Sequence, residues 1–231
     1  MKNRIGKRLL SASEFVRQDA YLADIGTDHA YLPLFLLSQG RIQRAVCADI
    51  NDGPLENAER NAKEIGFADK ISFILTDGAK GLSDMGITDY AICGMGGELI
   101  AGIIESSPHL KNKNIRLILQ PMSRQAYLRR YLSENGFATV AESYSEDAGK
   151  YYLCIVAEYD GVARSITDVE AELGSLVRPR ATLSRAEEGF LNTKLNAFNK
   201  AASGKTNAGN ADCYESRLLI EYNERNKSSD C

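Results

Sequence analysis

The sequence of 231 residues has no tryptophan, two histidines and no paired cysteine motif. A structural zinc site needs about four cysteine or histidine ligands at short spacings. The imidazoles are limited to His29 and His109. The cysteines stand singly along the chain, as Cys47, Cys93, Cys154, Cys213 and Cys231. This distribution argues against a structural zinc site, and we expect no bound metal.

Long apolar segments are also missing. No apolar run reaches the roughly 18 residues that a membrane-spanning helix needs. The N-terminus, MKNRIGKRLL, is basic but lacks the apolar core of a signal peptide. Scattered cysteines within strand-like runs are typical of a reducing compartment. We therefore predict a cytoplasmic protein with no membrane partner, and no obligate protein partner is evident.

The charge is unevenly distributed around a net value of −3. Residues 1–20 carry five basic and two acidic groups, whereas residues 21–160 carry 13 basic and 19 acidic groups. An acidic body does not favour nucleic acid as a partner. A polyanion would have to bind at local patches, and the basic N-terminal segment is one candidate.

Short apolar runs alternate with helical patterns over the first two thirds of the chain. Five runs are typical of buried parallel strands: YLADI (21–25), RAVCADI (44–50), KISFIL (70–75), DYAICG (89–94) and IRLILQ (115–120). Two further runs, FATVAESYSED and GKYYLCIVAEY, are too close for a crossover helix and predict an antiparallel hairpin. The pattern therefore predicts a doubly wound α/β sheet with a non-parallel last strand.

This closing hairpin distinguishes two fold classes that share a Rossmann-like sheet. We would not expect this hairpin in a dehydrogenase domain, whereas we would expect it in the class I methyltransferase fold. We predict such a methyltransferase domain over residues 1–160. Residues 161–231 contain helical patterns that predict a coiled-coil-like helical hairpin. That hairpin is either a cap or dimer interface, or an arm that holds a large substrate.

The first strand leads into ADIGTDHAYLP, which has an acid and a glycine but no glycine-rich loop. A pyrophosphate needs bare backbone N–H groups at a helix N-terminus, and glycines provide them. S-adenosylmethionine has an ammonium group and no phosphate, so it tolerates nearby acids that would repel NAD. We therefore predict that Asp24, Gly26, Thr27 and Asp28 bind this methyl donor and that His29 adjoins it.

Polar or small residues follow the other strands too, and the carboxyl ends of such strands form the ligand edge of an open α/β sheet. After the second and third strands come Asp49-Ile50 and Asp77-Gly78. We predict that Asp49 accepts hydrogen bonds from the ribose hydroxyls and that Asp77 meets the adenine amino group. A lone acid at a strand end is often a helix N-cap, but three of them weaken that interpretation.

Several motifs together resemble one family. DIGTDHAYLP, NDGP (51–54), GMGGELI (94–100), LQPM (119–122) and GKYYLCIVAEY resemble the bacterial tRNA (adenine-N1)-methyltransferases that modify adenine 22 in the D-arm. The resemblance covers nearly the whole chain. It implies S-adenosylmethionine as donor, tRNA as substrate, and target-base entry at Gly94–Gly97. Met122 departs from the pattern, because the family commonly has asparagine there.

The resemblance also suggests which groups act on the base. Adenine N1 is already nucleophilic, so positioning and acceptors near N6 are what the enzyme must supply. The candidates are Asp28, His29, Gly94 and Met95, with Asp28 preferred. His29 could instead cap the following helix or form a hydrogen bond beneath the turn.

Basic and polar side chains outside this turn are candidate RNA contacts, because the target base must leave its stack and contacts elsewhere must offset the cost. The candidates are Arg4, Lys7, Arg8, Gln120, Arg124, Arg129, Arg130, Arg178 and Arg180. Each of the basic residues, taken singly, could equally lie on a solvated helix face. Three alternatives remain open: the same fold acting on another RNA or a small molecule, a non-catalytic donor-binding protein, and, last, a nicotinamide oxidoreductase.

Overall fold

A seven-stranded mixed sheet forms the centre of the molecule in the computed structural model, which describes residues 5–177, 182–207 and 213–227. The strand order across the sheet is β3-β2-β1-β4-β5-β7-β6. The strands are β1 (Tyr21–Ile25), β2 (Arg44–Asp49), β3 (Ile71–Leu75), β4 (Asp89–Gly96), β5 (Arg116–Ser123), β6 (Phe137–Asp147) and β7 (Lys150–Tyr159). All seven predicted strand segments are confirmed; the bounds of β1 and β6 are unchanged, and those of the other strands shift by one to three residues.

Helices lie on both faces of this sheet. They are α1 (Lys7–Ser13), α2 (Tyr31–Ser38), α3 (Asp52–Ile65), α4 (Gly97–Glu105), α5 (Gln125–Glu134), α6 (Asp168–Leu173), α7 (Arg185–Asn207) and α8 (Tyr214–Lys227). Helices α1 to α3 and one face of the strands form one apolar cluster. Helices α4 to α8 and the other face form a second cluster. The sheet is therefore covered on both sides, which explains why its strands are continuous apolar runs.

The closing hairpin is antiparallel, as the sequence predicts. Strand β7 pairs antiparallel with β5, and Leu117 lies opposite Ala157. Strand β6 then pairs with β7 at the edge of the sheet. Helix α1 packs against β6, where the Ser11 and Ser143 hydroxyls lie 2.7 Å apart. The N-terminal helix is therefore fixed on the hairpin.

The C-terminal segment is helical, also as predicted. Leu191 of α7 and Leu218 of α8 are buried in the same apolar cluster as Leu153 of the sheet. Helices α7 and α8 contact each other, and α7 also contacts both strands of the closing hairpin. No helix within the described ranges is long and apolar enough to cross a membrane.

Candidate active site

A buried carboxylate lies at the end of the central strand β1. Asp24 is 8% exposed, and its Oδ2 accepts a hydrogen bond of 2.7 Å from the Thr27 hydroxyl. Burial raises the pKa of Asp24 from 3.8 to about 6, although the Thr27 bond and the Arg8 charge oppose the rise. A buried acid of this kind is a candidate partner for a cation. The cation's charge stabilises the ionised carboxylate, which burial away from water destabilises.

Gly26 forms the turn after Asp24 and cannot carry a side chain without a local shift. Its φ is +73°, and an added Cβ would lie 2.0 Å from the Met95 Cε atom. Its N–H donates to the Ala48 carbonyl oxygen at 2.8 Å. The turn is thus held between β2 and the end of β4.

Asp28 and His29 lie on the more open side of this turn. The Asp28 side chain is 70% exposed, and its Oδ2 lies 3.2 Å from His29 Nε2. The His29 ring stacks on Tyr31 with centroids 5.0 Å apart. Helix α2 has Ala30 at its N-cap and no side-chain cap, so His29 does not cap it. The helix-capping alternative for His29 is therefore wrong.

Asp49 and Ile50 lie at the tip of β2, next to β1 in the sheet. Asp49 is half-buried and its Oδ1 accepts the Asn51 N–H at 2.9 Å. Ile50 is 62% exposed. An exposed apolar side chain beside a carboxylate gives this tip a surface for a planar apolar ring next to hydroxyl groups.

Asp77 and Gly78 follow β3, the strand on the far side of β2. The exposed Asp77 carboxylate forms an ion pair with Lys80. Gly78 has a φ of +65°, and an added Cβ would lie 3.0 Å from the Ile103 Cγ2 atom. The structure therefore places the three strand-end acids, Asp24, Asp49 and Asp77, on consecutive neighbouring strands at one edge.

The end of β4 is joined to the end of β5 through a buried glutamine. Gln120 is 1% exposed, and its Oε1 accepts the Gly94 N–H at 3.0 Å. The same oxygen accepts a hydrogen bond from Arg8 of α1. Gln120 Nε2 donates to the Met122 sulfur at 3.4 Å. Gln120 thus lies inside the site, between the ends of β4 and β5, and its predicted contact to the RNA would be one to the target base.

The later glycines of GMGG have a packing role that the sequence does not reveal. An added Cβ on Gly97 would lie 2.4 Å from the Arg124 carbonyl oxygen. An added Cβ on Gly96 would lie 3.3 Å from the Ser123 hydroxyl oxygen. These two glycines allow β4 and the turn after β5 to come close together. The sequence assigned the whole motif to base entry, so this constraint is a finding of the structure.

The predicted RNA contacts have different surroundings. Lys7 is exposed, and Arg124 is 70% exposed with Glu98 at 3.5 Å. Arg130 forms an ion pair with Asp168. Arg4, Arg178 and Arg180 lie outside the described residues.

The predicted RNA contact of Arg129 is wrong in this structure. Its side chain is 4% exposed and forms an ion pair of 2.6 Å with Glu142, which is 2% exposed. It also donates to the Ala171 carbonyl oxygen at 2.8 Å. Arg129 therefore joins α5, β6 and α6 inside the protein and cannot reach a phosphate.

Three exposed apolar side chains near the ends of β4 and β5 were not predicted as site residues. Leu99 is 57% exposed, Met122 47% and Tyr127 50%. Leu99 and Tyr127 fit ordinary helical patterns, so the sequence carries no signal that they face solvent. They add apolar surface beside Arg124.

A cavity of about 750 Å³ opens elsewhere, at the amino ends of β4 and β5, with Thr88, His109 and Ile115 in its lining. It lies at the opposite edge of the sheet from the strand-end acids. Within the described ranges, no group of three or more histidine, cysteine or acidic side chains could hold a metal ion.

Comparisons with known proteins agree with this geometry. Residues 5–155 match the family model described as a methyltransferase domain. The chain is 34% identical over 169 residues to the tRNA (adenine(22)-N(1))-methyltransferase of Bacillus subtilis, covering 70% of this chain and 71% of the relative. The chain belongs to this methyltransferase family. The resemblance inferred from the sequence motifs is therefore confirmed.

Solved structures extend the likeness of this methyltransferase to almost its full length. A Streptococcus pneumoniae protein described as a putative tRNA (m1A22) methyltransferase is 32% identical, with a TM-score of 0.80, covering 97% of this chain and 98% of that one. The same protein in complex with S-adenosyl-L-methionine gives a TM-score of 0.75 at the same identity and coverage. The predicted class I methyltransferase fold, with its C-terminal helices, is confirmed.

Proposed function

We propose that this protein transfers a methyl group from S-adenosylmethionine to N1 of adenine 22 in the D-arm of tRNA. The observation that carries the proposal is the row of acids at the carboxyl ends of β1 and β2 in a chain of this family. Asp24 is buried there, Asp49 is half-buried, and no phosphate-binding glycine loop adjoins them. This arrangement suits a cationic donor bearing a ribose.

The residues of the turn fit the donor group by group. Asp24 faces the donor's ammonium group, and Thr27 holds the Asp24 carboxylate in place. Gly26 gives room where a Cβ would collide. Asp49 accepts hydrogen bonds from the ribose hydroxyls. The adenine ring is held by a separate set of strand-end residues: Ile50, Asp77 and Gly78.

The chemistry asks little of the protein beyond position and charge. The bound donor supplies an electrophilic methyl group on sulfonium. Adenine N1 has a free lone pair, so the chain must align it and stabilise the positive charge that develops on the base. Asp28 is exposed beside the donor turn, where it can accept a hydrogen bond from the adenine amino group. His29 orients it, with Nε2 lying 3.2 Å from Asp28 Oδ2. Gly94 and Met95 form the wall where the base enters.

The RNA is held outside this pocket. The exposed Lys7 and Arg124 offer cations on the body, as does the partly exposed Arg130 beside Asp168, and helices α6 to α8 offer further surface as an arm. Because N1 is covered in a base pair, these contacts must offset a flipping cost of about a few kcal/mol. A cytoplasmic location is part of this proposal, because a tRNA substrate is available there.

The test is nucleoside mass spectrometry on unmodified tRNA incubated with isotope-labelled S-adenosylmethionine. We expect labelled 1-methyladenosine in D-arm fragments, and none from a tRNA that carries guanosine at position 22. Label in another nucleoside would refute the target and keep the donor. No label from a protein that binds the donor would favour a different substrate or a non-catalytic binder.

A matched pair of variants tests the roles of the acids. Asp24→Asn should mainly weaken donor binding, whereas Asp28→Asn should lower turnover more than it weakens donor binding. Equal donor affinity and equal turnover in Asp28→Asn and the wild type would remove Asp28 from the mechanism.

A further inference from the structure

We propose that Arg8 is a positioning residue for the methyl transfer: it fixes the side-chain amide of Gln120 so that its NH2 group is presented to the target adenine. This inference rests on the proposed function. It assigns Arg8 a role different from the phosphate contact that its charge suggests.

The orientation of the Gln120 amide follows from what surrounds it. Its oxygen accepts from the Gly94 N–H at 3.0 Å and from the Arg8 guanidinium. A backbone N–H and a guanidinium can only donate. Turning the amide over would place its NH2 group against two donors. Because the Gln120 side chain is only 1% exposed, water could not relieve that clash. Arg8 and Gly94 together therefore allow one orientation.

The opposite end of the same amide is held only weakly. Gln120 Nε2 donates to the Met122 sulfur at 3.4 Å, and a thioether is a poor acceptor. Gln120 is 1% exposed and Met122 is 47% exposed, so displacement of the Met122 side chain would open this end of the amide to the site. The N3 or N7 atom of a bound adenine, whose lone pair is not used in the attack by N1, is a better acceptor than sulfur. The NH2 group can thus exchange Met122 for the base without losing a hydrogen bond.

Arg8 reaches this point because its helix is fixed elsewhere. Its backbone N–H donates to Asp147 at 3.4 Å, and the next turn of α1 is held by the Ser11–Ser143 contact. Both partners lie on β6, at the edge of the sheet. Its guanidinium is also close enough to Gly94 that an added Cβ there would lie 3.5 Å from Nη1. Helix α1 therefore acts as a rigid support for the base-binding edge.

Three variants separate this role from a phosphate contact, measured as single-turnover rates with saturating tRNA and donor at pH 8, where Asp24 is ionised. Arg8→Ala should lower the rate on the order of tenfold to a hundredfold. Arg8→Lys, which keeps the charge and one donor, should recover part of that loss. Gln120→Glu keeps the acceptor for both donors but has no NH2 group, and it should be as slow as Arg8→Ala.

A double variant gives the decisive comparison. If Arg8 acts through Gln120, then Arg8→Ala combined with Gln120→Ala should be no slower than Gln120→Ala alone. Multiplied losses would overturn the proposal. So would a normal saturating rate in Arg8→Ala with weaker, salt-dependent tRNA binding, which is the signature of a phosphate contact. Arg60→Ala, which removes an exposed arginine on α3, is the matched control and should keep the wild-type rate.

A readout without catalysis keeps this test separate from the proposed function. In glutamine-labelled protein, the Gln120 side-chain amide signals can be assigned from their absence in Gln120→Glu. Arg8→Ala should shift or broaden those signals, and Arg60→Ala should not. Unchanged Gln120 signals in Arg8→Ala would overturn the positioning role whether or not the wild type methylates tRNA. Absence of 1-methyladenosine with the wild type would instead refute the proposed function alone.

Discussion

Asp24→Asn should stabilise the protein without its donor at neutral pH, even though it removes a functional group. Asparagine has the same shape and can still accept from Thr27, whose hydroxyl lies 2.7 Å from the carboxylate in the wild type. The folded protein raises the pKa of Asp24 from 3.8 to about 6, so folding favours the protonated acid. Ionised Asp24 therefore lowers the free energy of unfolding. This destabilisation is absent below the pKa of the unfolded chain, 3.8, and grows as the pH rises from 3.8 to about 6. Above that range it is constant.

The magnitude follows from the two pKa values. Their difference corresponds to about 3 kcal/mol at pH 7.5, and to about 1 kcal/mol at pH 4.5, where the acid in the unfolded chain is only partly ionised. The advantage of Asp24→Asn should therefore grow by about 2 kcal/mol between these pH values. For a chain of this length that is a difference of roughly 4–8 °C in Tm.

Thermal unfolding of the wild type and Asp24→Asn at several pH values between 4.5 and 7.5 measures this trend. Asp69→Asn, which neutralises an exposed acid, is the control and should show little change relative to the wild type. Any fixed cost of the unpaired amide NH2 group is independent of pH and leaves the trend intact. A stability difference that stays constant or shrinks as the pH rises would refute the reasoning.

The remaining predictions concern the donor, the turn and the arginines. The donor Kd should increase as the pH falls through about 6, because Asp24 becomes protonated, and calorimetry from pH 5 to 8 should show no such trend in Asp24→Asn. Gly26→Ala should lower the free energy of unfolding by about 2–4 kcal/mol and abolish donor binding. Gly40→Ala, also at positive φ but with no atom near the added Cβ, should lower it by only about 1–2 kcal/mol. Denaturant unfolding of both variants measures the difference. Arg129→Ala should lower the free energy of unfolding by about 3–5 kcal/mol, because it leaves the buried Glu142 carboxylate without its partner. Arg124→Ala should leave Tm unchanged and reduce the slope of log affinity for tRNA against log salt concentration by about 1. The reverse pattern would contradict both assignments.

The fold was largely predictable because its signals are local. Apart from Asp24, runs such as YLADI and RAVCADI are apolar at the positions that these strands bury, as is typical of a parallel strand covered on both faces. The short spacing between β6 and β7 leaves no room for a crossover helix, so it determines their antiparallel pairing. Alternation of such runs with helical patterns then leaves few topologies. The observed strand segments and the antiparallel closing hairpin agree with that prediction, whereas the strand order across the sheet was not predicted.

The sequence by itself determined that Asp24, Asp49 and Asp77 lie together at one end of the sheet, because each stands at or just after the end of a strand and parallel strands end on the same side. It did not determine which charges face solvent. Arg124 precedes α5 and Arg129 lies in its middle, yet Arg129 is buried with Glu142 and Arg124 is exposed. Nor could it link Arg8 to Gln120, which are 112 residues apart in the chain. Burial and long-range hydrogen bonds depend on how distant segments pack, and only the tertiary structure decides that.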